Sequence, residues 1–574
     1  MRVKKYFIIG MFCMISIPLF SQTMYLELNF HEERSNNLFA GSKSPLEIFR
    51  IIEKAENDKK VQGIILNIGS ISTTNRDFLW ELRNALEQFK SGGKKVYAFI
   101  SNADMDVYFL ASVADKIVMD ELGVLTMLGY SINRGYVRQT LEKLGIGARE
   151  LRYFEYKSAA EMYTRDSMSD ADRSQYNDYL DDIFNLTRET LINARNWTAD
   201  EFDTVLNHEF LYSAENALRR NLVDRVGRKD AVLEAIMESE GEKVKKKEDL
   251  NFALYGAYSS SLTGTETIYS PPGSGGLFRR PPVIAVVHAN GQTDMESGMA
   301  AFGLSRTIRD LADNRRVKAI VIRINSPGGS AEAADYVAEA VSYAKQKKPV
   351  VVSMGSMAAS GGYWAAMNAS HIMATPYTIT GSIGVIGSWF YDNGLTGKIG
   401  LVSDSIQRGA HADLMTGFLL PYRNLTAAEE ERYKNYMLNL YRLFTEKVAL
   451  GRGMDIEKVE AVAQGRIFSG TRALEAGLID SVGSFSDALR KAQELAGIPE
   501  GKRVRYNEYP KLGFMDRLRN KIPFLSIFSR GSSSQDNAVE ILAGLFLPAD
   551  IRYRLEKNGQ VMPILSLDFF QGKH

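Results

Sequence analysis

The stretch Val317-Lys-Ala-Ile-Val-Ile-Arg-Ile-Asn-Ser-Pro-Gly-Gly-Ser330 carries an apolar run of strand length, Ile320–Ile324, and ends in the turn residues Ser326-Pro-Gly-Gly329. Ala331–Gln346 then reads as a helix, and Pro349–Ser353 as the next buried strand. Strand, turn, helix and strand in that order are the rhythm of an α/β protein built on a parallel sheet.

Moving outward, the same pattern recurs earlier in the chain at an offset of about 255 residues. Val61-Gln-Gly-Ile-Ile-Leu-Asn-Ile68 resembles Val317-Lys-Ala-Ile-Val-Ile-Arg-Ile324, and Lys94–Ile100 resembles Lys348–Met354. Tyr108–Ile117 resembles Tyr363–Ile372, and Tyr212–Asp224 resembles Phe468–Asp480. All four pairs keep their order and nearly their spacing, so two related domains are expected, at 23–265 and 283–500. Ser270-Pro-Pro-Gly-Ser-Gly-Gly276 with Pro281-Pro282 places a linker at 266–282. The charge run Glu242–Asp249 reads as a solvated face.

The two ends differ from the repeat. Residues 1–22 combine basic Arg2, Lys4 and Lys5 with the apolar run Tyr6–Phe20, the form of an export signal or a membrane anchor. Its orientation implies that the body of the chain is translocated. Residues 501–574 form an extension in which Phe514–Phe528 mixes Arg517, Arg519 and Lys521 with apolar residues. Such a segment can lie on an anionic membrane, or pack on this chain or on a neighbouring subunit.

Composition narrows the chemistry. The 574 residues hold 70 Lys+Arg against 69 Asp+Glu, and a net charge of +1 gives no support to a nucleic-acid partner. One cysteine excludes intrachain disulfides and Cys-rich metal sites, and the six histidines show no ligand spacing. No metal, nucleotide or coenzyme is implied.

Two glycine-rich turns remain. Asn325-Ser-Pro-Gly-Gly-Ser330 follows a strand and precedes a helix, where backbone N–H groups can converge as in an oxyanion hole. Met357-Ala-Ala-Ser-Gly-Gly-Tyr-Trp364 again ends a strand, placing Ser360 before Gly361-Gly362 at a helix N-terminus. Together they suggest a serine nucleophile, which needs a base. His371 reads as packing or surface, and His411 is a weak candidate in a Gly/Ala-rich loop. A lysine base would need its pKa lowered by roughly 3 units through burial away from carboxylates. Spacing alone does not choose which lysine.

These two blocks, with Thr380-Gly-Ser-Ile-Gly-Val-Ile-Gly387, Gly465-Arg-Ile-Phe-Ser-Gly470 and Tyr156-Lys-Ser-Ala159 followed by Arg165-Asp-Ser-Met-Ser169, resemble the long, tandem form of the signal peptide peptidase A (protease IV) family. The resemblance runs from about Met24 to Gly497. Clp-type proteases share the serine block but use a histidine about 25 residues beyond it, where this chain has Val385. The resemblance implies tandem Clp/crotonase-like (ββα-spiral) α/β domains in a homotetramer. It implies a Ser-Lys peptidase acting on signal peptides and other short apolar peptides at a bacterial inner membrane, with the catalytic domains on the extracytoplasmic side. Its roles carry over to Ser360 as nucleophile, Lys157 as general base and Ser382 as the residue that orients the lysine. Gly361, with Gly328 and Gly329, would supply the oxyanion hole.

In the repeat, Ser360 aligns with Met105 and Gly361 with Asp106, while Lys157 falls near Gly409. Each half then keeps one member of a single dyad. Glu155 and Glu161 lie close to Lys157 in sequence and must face away from its amine for the mechanism to hold. Met162 departs from the family pattern in the turn after the lysine. The competing readings are a crotonase-type acyl-CoA enzyme and an inactive membrane scaffold.

Overall fold

A computed structural model describes residues 23–30, 45–68, 75–241, 250–254 and 281–510. The expected leader at 1–22, the charge run Glu242–Asp249, the linker up to residue 280 and the extension from Lys511 lie outside the described residues. The first half contributes strands β1 (Thr23–Asn29), β2 (Val61–Ile68), β3 (Lys95–Ala103), β4 (Lys116–Thr126), β5 (Ile146–Leu151), β6 (Leu211–Ser213), β7 (Arg225–Val226) and β8 (Leu250–Leu254). The second contributes β9 (Val283–Asn290), β10 (Val317–Ser326), β11 (Val350–Ala359), β12 (His371–Ala374), β13 (Ile379–Gly381), β14 (Gly387–Asp392), β15 (Ile467–Phe468), β16 (Ser481–Val482) and β17 (Arg505–Tyr509).

The chain is α/β, and its two halves repeat one topology. One sheet runs β6-β4-β3-β2-β1-β8 and the other β15-β13-β11-β10-β9-β17. β1 through β4 pair in parallel, as do β9 through β11, and β6 and β15 add an antiparallel edge. The near-continuous Val/Ile content of β10 follows from being covered on both faces, as parallel strands are. Matching hydrogen bonds tie each half internally. Tyr108 OH reaches Leu222 O at 2.6 Å, and Tyr363 OH reaches Leu478 O at 2.9 Å. Asp224 receives Ile117 N–H at 2.8 Å, and Asp480 receives Ile372 N–H at 2.7 Å.

The structure moves one expected boundary. β17 pairs in parallel with β9, as β8 pairs with β1, so the second sheet continues past residue 500 to Tyr509. The extension proper therefore starts later than expected, because residues 505–509 satisfy an otherwise open sheet edge.

The halves share a core rather than merely touching. Leu66 and Ile100 from the first half pack in one apolar cluster with Ile284, Val321 and Phe485 from the second. A two-stranded antiparallel ribbon, β5 with β14, takes one strand from each half. Arg323 of β10 forks onto Glu81 of the helix Arg76–Ser91, at 2.8 and 3.0 Å, and reaches Asp77 at 3.4 Å. Glu81 also accepts Phe485 N–H at 2.8 Å, so this buried ionic contact links three elements.

Candidate active site

Ser360 stands between β11 and the helix Gly361–Ala366 with φ 56° and ψ −119°. A left-handed φ is costly for a residue with a Cβ, and it persists only where the surroundings enforce it. Ser360 N–H donates to Gly381 O at 2.9 Å, and Ser360 O receives Trp364 N–H at 2.9 Å. The sharp strand-to-helix turn leaves the side chain half-buried at the head of the helix.

The turn after β10 folds against this serine. A Cβ on Gly328 would lie 2.7 Å from Ser360 Cβ and 2.8 Å from Gly361 N, so no larger residue fits there. Gly328 N–H donates to Ser326 Oγ at 3.2 Å, and Gly328 O receives Thr293 N–H at 2.9 Å. Carbonyl and N–H of one peptide point in opposite directions. Anchoring Gly328 O on Thr293 therefore turns Gly329 N–H the other way. Among the described residues, neither Gly329 N–H nor Gly361 N–H has an acceptor. Of the two glycines expected as donors, Gly328 spends its N–H on Ser326 and Gly329 does not.

Lys157 reaches this place from the other half. β5 is locked to β14, and the chain continues from β5 into the lysine loop while β14 follows directly on Ser382-Ile-Gly-Val-Ile-Gly387. Lys157 Nζ donates to Ser382 O at 2.7 Å and meets Ser382 Oγ at 2.9 Å. Ser382 has φ 51° and donates its N–H to Arg466 O at 2.7 Å. The backbone joins the two residues of interest: Ser360 is bonded to Gly381, and Lys157 to Ser382.

The lysine is 5% exposed, and burial lowers its pKa from 10.5 to about 7. No carboxylate opposes that shift. Glu155 is exposed, and Glu161 bonds Arg152 at 2.6 Å and receives Ser169 N–H at 3.1 Å. Burial alone would raise the Glu161 pKa, but those hydrogen bonds hold it below the ordinary value. Met162 lies in the short helix Glu161–Thr164, which closes the turn after the lysine. The two histidines are occupied elsewhere: His371 meets Ser481 Oγ at 2.9 Å, and His411 meets Glu429 at 2.7 Å. Among the described residues, no group of His, Cys, Asp or Glu could hold a metal ion.

The equivalent place in the first half is filled. Asp106 accepts Arg76 Nε at 2.9 and 3.1 Å and Tyr130 OH at 2.7 Å. Tyr130 and Tyr377 both meet Thr187 Oγ1, at 3.2 and 2.7 Å.

A parallel-sheet α/β fold with a strained serine at a helix head and unpaired N–H groups beside it is the arrangement of a serine hydrolase. The chain belongs to Peptidase family S49, whose model matches residues 88–244 and 342–499, and it is a serine protease. A Clp protease model also matches residues 297–379. Protease 4 of Salmonella typhi is 32% identical over 81% of this chain and 74% of its own. The chloroplastic serine protease SPPA of Arabidopsis thaliana is 29% identical over 84% of this chain and 70% of its own. A putative signal peptide peptidase SppA of Enterococcus faecium is 32% identical over 35% of this chain and 57% of its own.

Proposed function

We propose that this protein hydrolyses peptide bonds with a single Ser360–Lys157 dyad assembled across its two halves. The observation that carries the reading is Lys157 itself: buried, facing Ser382, and matched to no carboxylate. A lysine with a pKa of about 7 is neutral often enough at physiological pH to act as a base. In the proposed reaction Nζ takes the Ser360 Oγ proton as the oxygen attacks the substrate carbonyl. Gly361 N–H and Gly329 N–H receive the developing oxyanion. The lysinium then protonates the leaving amine, and water later attacks the acyl-enzyme with Nζ again as base. Ser382 holds the amine in place through both of its oxygens.

The substrates we propose are cleaved signal peptides and other short apolar peptides, as the name of the Enterococcus relative suggests. The site of action would be a bacterial inner membrane, on its extracytoplasmic side, with a homotetramer as the working form. Among the described residues no helix is long and apolar enough to cross a membrane. From their sequence, residues 1–22 and the extension are the segments we propose to meet the membrane.

The test is hydrolysis of a signal-peptide-like substrate by the full chain beside Ser360→Ala and Lys157→Ala. Both variants should lose activity by at least about 10³-fold while remaining folded. Full activity in either one would overturn the dyad.

A further inference from the structure

The loop that carries Lys157 has no regular structure between β5 and the short helix Glu161–Thr164. One buried side chain grips it on both sides of the lysine. Gln175, 2% exposed, lies on the inner face of the helix Asp170–Arg195. Its Nε2 donates to Tyr156 O at 3.2 Å and to Ser158 Oγ at 3.0 Å, and also reaches Asp172 Oδ1 at 3.1 Å. Its Oε1 receives Ile467 N–H, from the other half, at 3.1 Å.

The orientation of that amide is not arbitrary. The Asp172 carboxylate can only accept and a backbone N–H can only donate, so flipping the amide would break both contacts. Asp172 is fully buried and held by Arg134 and the Ser158 hydroxyl. On the far side, Ile467 follows Gly465 and Arg466. Arg466 O receives Ser382 N–H at 2.7 Å, and Gly465 packs directly on the Lys157 backbone. Gln175 therefore spans the residues that flank the amine and the strand that shapes the amine's own acceptor.

We propose that Gln175 is a positioning residue for Lys157, clamping residues 156–158 against 465–467 so that Nζ stays dry and aimed at Ser382. The proposal rests on the reading of Lys157 as general base. The charged groups around the clamp are already matched. Asp172 pairs with Arg134, Asp178 with Arg466 at 2.6 Å, and Glu161 with Arg152 at 2.6 Å. Loosening the clamp thus admits water rather than a new counter-charge. Hydration favours the ammonium form and returns the lysine toward its ordinary pKa.

The experiment is the pH dependence of peptide hydrolysis by the full chain carrying Gln175→Met, which keeps the length and burial but not the hydrogen bonds. The midpoint of the acidic limb should rise by about one unit, lowering kcat near pH 7 roughly fivefold with KM little changed. The rate should recover toward pH 9. A purely structural role would lower Tm without moving that midpoint. Ser158→Ala, a milder cut at the same clamp, should shift the midpoint the same way by less, and it decides the matter if Gln175→Met does not fold. A wild-type midpoint in the folded variants overturns the assignment. Lys157→Ala, assayed alongside, separates the two claims. If it is active, the base reading fails. If it is inactive while the clamp variants keep the wild-type profile, only the role of Gln175 fails.

Discussion

Replacing Gly465 by alanine should slow the enzyme about a hundredfold without touching a reacting group. Gly465 has φ 83°, and a Cβ there would fall 2.5 Å from Lys157 Cβ and 2.7 Å from both Lys157 Cα and Lys157 N. These are backbone atoms or the first side-chain carbon, so no rotamer change relieves the overlap. Ordinary contact requires a displacement of roughly 1 Å. A shift of that size at a catalytic group costs about 10²-fold in rate, or about 2.7 kcal/mol of transition-state stabilisation. Left-handed strain adds about 1–2 kcal/mol to the loss of fold stability. Gly453→Ala separates the two effects, because Gly453 has φ 62° with nothing within 4 Å of the added Cβ. It should show the strain in its melting temperature and keep its kcat. The assay is kcat, KM and thermal melting for both variants. A Gly465→Ala protein with wild-type kcat would refute the packing argument for how the lysine is held.

Three further substitutions test the lysine and the contact between the halves. Ser382→Ala removes one of the two oxygens on Nζ and should lower kcat about tenfold with KM nearly unchanged, read by steady-state kinetics. Lys157→Met should raise the melting temperature at neutral pH. The native lysine pKa is lowered from 10.5 to about 7, so the unfolded chain binds the extra proton in that window. Wild-type stability should accordingly climb between those pH values, and the climb should vanish in the variant. Glu81→Gln acts in the opposite sense. Burial raises the Glu81 pKa from 4.5 to about 7 despite Arg323, so its contribution is complete below the unfolded value and lost as pH rises through the folded one. Melting curves across that range should flatten in the variant.

The serine side of the site is legible in the sequence because its geometry is local. A strand, two glycines and a helix head lie within a few residues of one another around both Gly328 and Ser360. The repeat was also readable, since matched strands and the Tyr108/Tyr363 and Asp224/Asp480 pairs keep their spacing. The lysine side is different. Lys157 is distinguished only by what surrounds it in space, namely Ser382, Gly384 and Gly465, all more than two hundred residues away. Family resemblance points to it; spacing alone does not. Gln175 left a fainter trace. Asp172 and Gln175 are polar residues on the same buried face as Ile183, Thr187 and Leu191, a sign of a hydrogen-bonded network within a core. β17 is not legible in the sequence because it joins the sheet beside a strand more than two hundred residues earlier, so its pairing leaves no local pattern.

The central claim is that a neutral Lys157 activates Ser360. The most direct measurement is the rate at which a serine-directed fluorophosphonate labels Ser360, followed against pH in the wild type and in Lys157→Ala. The wild-type rate should rise with pH with a midpoint near 7, and it should be at least about 10²-fold lower in the variant. Equal labelling of the two proteins, or a midpoint near the ordinary lysine value of 10.5, would contradict it.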